Sequence, residues 1–200
     1  MLRSMLPNSQ RCFVLEKESM EIKKMCRGLK GMRVLNVCSS DEEFYQNRQP
    51  YIWKNVMEPL LKENTLVNLD IKLCSGVDIA CDCRDMREIS DGTYDVVLFC
   101  SGIEHMPEPE RAIGEIRRVL KKSGFAILSA PGVYPKHEDP IDTMLRLPDR
   151  ASWEVFLGGH WNILEYRSTR PEPALPFYAF DRNVYATIIK CRPNDGSARK

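Results

Sequence analysis

The chain has 200 residues, and 29 Lys and Arg against 28 Asp and Glu leave a net charge of +1, so no global field draws it to nucleic acid, an anionic membrane or an acidic substrate. Two hundred residues suit one domain with a substantial core. The eight cysteines are scattered, the N-terminus lacks the basic segment and apolar run of a signal peptide, and no run of about 18 apolar residues occurs, which together point to reduced thiols in a cytoplasmic protein with no membrane span.

In chain order, "CFVLEKESMEIKKMCRGLKG" carries a helical pattern with Phe13, Leu15, Met20, Ile22, Met25 and Leu29 on its apolar face, closed by Gly28 and Gly31. "MRVLNVC" is almost wholly apolar, as a central parallel strand buried on both faces requires. Residues 41–63 read as helical, interrupted by Pro50 and Pro59, with Trp53, Val56, Leu60 and Leu61 in a stripe. "NTLVNLDI", "GVDIACD" and "TYDVVLFC" follow as strands. "PEPERAIGEIRRVLKK" is an amphipathic helix, acidic at its start and basic at its end, with Ile113, Ile116, Val119 and Leu120 inward. Gly124 is expected to cap it, and "FAILSAPG" makes a fifth strand. Beyond it, "RASWEVFLGG" predicts a helix and "HWNILEYRSTR" and "VYATIIKCR" two last strands. The domain is expected over residues 1–192, with 1–30 as an N-terminal helical segment, 131–182 as a substrate-side elaboration, and 193–200 as a disordered tail.

Strands alternating with helices imply an α/β domain with a doubly wound, mainly parallel sheet of about seven strands. Ligands on such sheets bind outside the carboxyl ends of the strands. Polar residues gather there: Ser39 and Ser40, Asp70, Asp82, Ser101, Glu104 and His105. The grouping Cys74, Cys81 and Cys83 has no CxxC pair and no nearby histidine, so no metal site is expected. No G-x-G-x-x-G follows the first strand, which disfavours a nicotinamide enzyme.

The run "GVDIACDCRDMREISDGTYDVVLFCSGIEHMPEPERAIGEIRRVLKKSGFAILSAPG" resembles the class I S-adenosylmethionine-dependent methyltransferases, particularly type 11. An acidic turn, a "fDvV" strand, an "EH" pair, an "E-x-x-RVLK-x-G" helix and a following strand come in the same order and spacing. The resemblance implies a Rossmann-like fold and S-adenosylmethionine as methyl donor. It implies that Asp70, with Ile71 beside it, meets the ribose hydroxyls, a task suited to an acceptor-only carboxylate. Asp78 competes for that role. Asp82 and Cys83 match the turn that holds the adenine, with Asp85 next and Met86 a candidate to pack on the base. Ser101 and Gly102 correspond to residues lining the methionine part.

His105 of the "EH" pair is a candidate general base, or else a helix-start packing feature. "VYPKHEDPIDTMLRL" resembles a segment of type 11 members from polysaccharide and natural-product pathways, in which His137, Asp142 and Arg146 would cluster over the donor; an i,i+4 ion pair between Asp142 and Arg146 is the plainer reading. The departure from the family is "VLNVCSS", where Cys38 stands in place of a glycine, Ser39 and Ser40 follow, and Asn36 replaces an acid. Losing glycine is expected to remove access to positive φ and the clearance of a missing β-carbon. The expected function is methyl transfer to oxygen or nitrogen of a small molecule, sugar or natural product. The alternative is an inactive methyltransferase fold serving as a binding or scaffold module.

Overall fold

The computed structural model describes residues 8–40, 50–136, 142–170 and 184–194. Seven strands form one sheet in the order β3-β2-β1-β4-β5-β7-β6. They are β1 (Arg33–Val37), β2 (Thr65–Asp70), β3 (Ile79–Ala80), β4 (Tyr94–Cys100), β5 (Leu120–Val133), β6 (Trp161–Ser168) and β7 (Tyr185–Pro193). β1 runs parallel to β2 and β4, and β4 to β5, whereas β7 lies antiparallel between β5 and β6. The chain winds outward from β1 in both directions, so the crevice between the carboxyl ends of β1 and β4 is the topological switch point.

Alternate strand residues face opposite layers. Leu35, Val37, Val97 and Phe99 pack with Ile113, Ile116 and Trp153, from helices α3 (Pro109–Val119) and α4 (Arg150–Phe156). Val34, Val96, Leu98 and Ile127 pack with Ile22, Met25, Val56 and Leu60 on the other face. Those last four come from α1 (Asn8–Met25) and from the helical stretch at residues 50–63, called α2. Both faces of the central strands are therefore covered, which is why those strands read as unbroken apolar runs.

Three local expectations are corrected. In α1 the inward face is Glu18, Ser19, Ile22 and Met25, while Met20 is 42% exposed; two polar side chains sit where an apolar stripe was expected. In α2 the helix loosens into a π turn, with the N–H of Glu58 bonding the carbonyl of Trp53. Pro59 explains this, since its ring crowds the carbonyl four residues back and it has no N–H to offer. Gly124 does not cap α3, which ends at Val119 and runs straight into β5. A β-carbon at Gly124 would lie 2.9 Å from the carbonyl oxygen of Asp95, so the glycine is there for the close approach of β5 to β4. The first part of the expected second helix (residues 41–49), the segment 171–183 and residues 195–200 of the expected tail lie outside the described residues, while Pro193 closes β7 and Asn194 donates to the carbonyls of His160 and Gly159, so the order extends two residues into that tail.

Candidate functional site

The turn after β1 has no glycine, yet it bends as a glycine turn would. Cys38 takes φ 55° and Ser40 φ 58°, so the expected loss of positive φ is corrected. Each left-handed residue with a β-carbon costs roughly 1–2 kcal/mol, and long-range bonds hold the turn against that cost. The N–H of Ser39 donates to the carbonyl of Leu69 at 3.0 Å, and the N–H of Ser40 to Oδ2 of Asp70 at 2.8 Å. The clearance has moved across the crevice: a β-carbon at Gly102 would meet Cβ of Cys38 at 3.0 Å and Cε2 of Phe99 at 2.8 Å. Asn36 is buried, and its amide donates to Oδ1 of Asn68 at 3.0 Å. An amide pair thus links β1 to β2.

Asp70 ends β2 and also accepts the N–H of Lys72, at 3.2 Å. Two N–H bonds leave its carboxylate with further acceptor capacity. Asp78 differs, because its Oδ2 caps the N–H of Asn68 at 2.7 Å, a strand-edge role. Ile71 is 66% exposed beside Asp70, an apolar surface at the ligand end. A cavity of about 180 Å³ adjoins the turn, lined by Ser40, Trp53, Met57, Leu61, Leu66, Asn68 and Gly76. It is smaller than the roughly 300–1,000 Å³ of common ligand pockets and has room for part of a nucleoside-sized molecule.

In the turn after β3 the guanidinium of Arg84 grips Asp82, with Nε to Oδ1 at 3.0 Å and Nη2 to Oδ2 at 2.6 Å. That fork holds the Asp82 carboxyl below its usual pKa. Cys83 is buried with its Sγ 3.9 Å from Sγ of Cys38 and 3.9 Å from Sδ of Met106. Soft sulfur contacts therefore join the turns after β1, β3 and β4. Met86 is fully buried and belongs to the core, which corrects its expected place against a base. Its N–H donates to Glu115, whose partner Arg118 also binds the carbonyls of Met86 and Ile89 at 2.8 and 2.7 Å. The "E-x-x-R" pair is thus a clamp on the loop before β4.

The ends of β4 and β5 are built differently. Ser101 takes φ 51°, and its N–H donates to Oγ of Ser129 at 3.0 Å. Both serine hydroxyls donate to Oε1 of Glu18, which reaches in from α1. Glu18 is 2% exposed, and burial raises its pKa against the lowering effect of the two hydroxyls. Glu104, in the 3-10 turn Ile103–His105, is 3% exposed, and its Oε2 has no hydrogen-bond partner among the described residues. Burial, aided by nearby Glu18 and Asp142, pushes its pKa up to about 8. Nε2 of His105 lies 3.6 Å from Oε1 of Glu104.

The segment from Asp142 lies over this turn, with the N–H and hydroxyl of Thr143 both donating to the carbonyl of Glu104 at 2.8 and 3.0 Å. Arg146 holds Asp142 through two bonds, of 3.0 and 2.6 Å. The expected i,i+4 pair forms, but in non-helical chain, so it braces a loop. His137 lies outside the described residues. Among the expected site residues, Cys38, Ser39, Ser40 and Asp70 converge directly, Asp82 with Cys83 and Ser101 flank them, and Asp142 is taken up by Arg146. Glu18 and Ser129 were missed. Glu18 sits on the same helical face as Ile22 and Met25, and that register was the available signal.

Residues 53–128 match a family described as a methyltransferase domain. No curated protein matches the sequence. Solved structures that resemble the chain include 1,6-didemethyltoxoflavin-N1-methyltransferase from Burkholderia thailandensis, at 10% identity and TM-score 0.62 over 94% of this chain and 82% of that one. A protein of Sulfolobus solfataricus assigned to the type 11 methyltransferases superposes at 18% identity and TM-score 0.57, covering 93% and 97%. The cyclase SpnF does so at 15% identity and TM-score 0.59, covering 88% and 80%. Residues 53–128 match the methyltransferase-domain family, and the chain as a whole has the class I methyltransferase fold that these structures share.

Proposed function

We propose that the protein transfers a methyl group from S-adenosylmethionine to oxygen or nitrogen of a small-molecule acceptor of the sugar or natural-product kind. The observation that carries this reading is the turn after β1: Cys38 and Ser40 both take left-handed conformations, and an acid at the end of the neighbouring strand, Asp70, accepts the N–H of Ser40. Strain of that kind is retained where a backbone must approach a ligand. The solved Burkholderia thailandensis methyltransferase of the same fold holds S-adenosylhomocysteine together with 1,6-didemethyltoxoflavin, which supports the same ligand class here.

The residues present fit the donor. Asp70 accepts from the ribose hydroxyls, Ile71 packs on the nucleoside, and Asp82 with Cys83 meets the adenine edge. Cys38, Ser39, Ser40 and Ser101 surround the methionine part. The donor supplies an electrophilic methyl on a sulfonium, and the protein supplies alignment and exclusion of water. His105, partly exposed beside Glu104, is the proposed proton acceptor for the attacking group, with His137 as the other histidine for that role. Asp142 acts by positioning Arg146. The expectations of no nucleic-acid partner, no membrane partner and a cytoplasmic location stay part of this proposal; no helix among the described residues is long and apolar enough to cross a membrane.

A scaffold reading is favoured by one observation, the fork of Arg84 that occupies Asp82. Titration calorimetry separates the two. Micromolar binding of S-adenosylmethionine, lost in Asp70→Ala, supports the enzyme. No heat and no thermal shift at millimolar donor overturns it.

A further inference from the structure

The buried acids at the carboxyl ends of β4 and β5 have no part in the reaction as proposed above. Glu18 descends from α1 onto Ser101 and Ser129, and Glu104 rises from the turn after β4. Within the described residues, Oε2 of Glu104 is the buried side-chain oxygen left without a hydrogen bond. An orphaned buried oxygen costs free energy that a protein retains where a ligand completes the site. Two buried carboxyl groups at the same strand ends are complementary to a cation.

We propose that Glu18 and Glu104 form a cation subsite that takes the sulfonium centre of the methyl donor and discriminates against the neutral thioether left after transfer. The inference rests on the function proposed above. Its location supports it: Ser101, assigned to the methionine part of the donor, shares its hydroxyl with Glu18, and a β-carbon at Gly102, two residues before Glu104, would lie 3.0 Å from Cβ of Cys38, so the turn of Glu104 packs against the turn after β1. α1 contributes Glu18, β4 the half-buried thiol of Cys100, the 3-10 turn His105, and the turn after β1 Cys38 with Asp70 nearby. The segment after β5 contributes Asp142 and Arg146, and Arg146 is engaged with Asp142 in a two-bond pair.

The chemistry balances around Glu104. With no cation present its carboxyl keeps its proton, as its raised pKa of about 8 requires near neutrality. When the sulfonium arrives, Glu104 releases that proton to solvent and its carboxylate pairs with the cation in a low-dielectric setting. As the S–CH₃ bond breaks, its electron pair stays on sulfur and the new bond forms from the acceptor's lone pair. His105 takes the proton that the acceptor sheds, and Glu104, having lost its cationic partner, receives a proton from His105, whose Nε2 lies 3.6 Å from its Oε1. A neutral acid then faces a neutral thioether, and the product is held more weakly than the donor.

The test is calorimetry of the full-length protein with S-adenosylmethionine and S-adenosylhomocysteine, in two buffers of different ionisation enthalpy between pH 6 and 8.5. Donor binding at pH 7 should release about one proton more than product binding, and the donor-to-product affinity ratio should rise about tenfold per pH unit below pH 8. Glu104→Gln should abolish the extra proton and flatten the ratio; Glu18→Gln should reduce both. The wild-type proton count needs no variant to fold. Equal proton release and a pH-independent ratio overturn this inference and leave the methyltransferase reading standing. If neither ligand binds, both fall.

Discussion

Asp70 and Glu104 both stand at the carboxyl ends of parallel strands that flank β1, one after β2 and one after β4, yet their surroundings are opposite. Asp70 is partly exposed and meets two backbone N–H groups. Glu104 is sealed beneath the segment from Asp142, beside a second buried acid, with one oxygen unpartnered. The difference teaches that position on an α/β sheet nominates a residue, whereas solvation and partners decide its chemistry. One acid is built to accept hydrogen bonds and the other to respond to charge.

The largest effect that sharpens this contrast is in stability against pH. The folded-state pKa of Glu104, about 8, lies above its ordinary 4.5, so the folded protein holds more protons than the unfolded chain between those values. The associated stability is complete below pH 4.5 and is lost as pH rises through 8. Glu104→Gln removes that loss, so at pH 8 the variant should exceed the wild type by roughly 3–5 kcal/mol, with the gap closing towards pH 5. Urea melts at the two pH values measure it, and parallel curves would remove the distinction between the two acids. Next in size is Asp70→Ala, which deletes two acceptor sites for ribose hydroxyls and unties Ser40. Donor affinity should fall on the order of 100-fold by titration calorimetry, and retained affinity would show that Asp70 is only a turn residue.

Smaller effects probe the flanks. Arg84→Ala frees the Asp82 carboxylate from its fork; the ion pair is partly exposed and worth little by itself. Donor affinity should then change by less than about tenfold, tightening if Asp82 is needed for adenine. Cys38→Gly relieves a left-handed residue but removes the sulfur contact to Cys83. Those terms oppose each other, and the net shift in a thermal melt should stay within about 1 kcal/mol.

The two halves of the crevice also differ in how far they could be read in advance. The acids and serines after β1, β2 and β4 were legible because a strand-helix alternation marks where the strands end. The "E-x-x-R" pair was legible as a motif, though its work is to clamp the loop before β4. Glu18 was not, since an acid within an apolar stripe looks like a solvated residue until α1 is docked on β4 and β5. Gly124 was misread for a related reason: a glycine near a helix end suggests a cap, and only the approach of Asp95 gives it another purpose.

From residues alone came the doubly wound sheet, the inward face of α3 and the strand ends that form the crevice, because periodicity and apolar runs are local properties of the chain. The tertiary structure alone decided that Cys38 and Ser40 adopt the bend of glycine, that Gly102 supplies the clearance, and that Glu104 is buried without a full set of partners. Backbone strain and desolvation are set by atoms far away in sequence, and no local pattern encodes them.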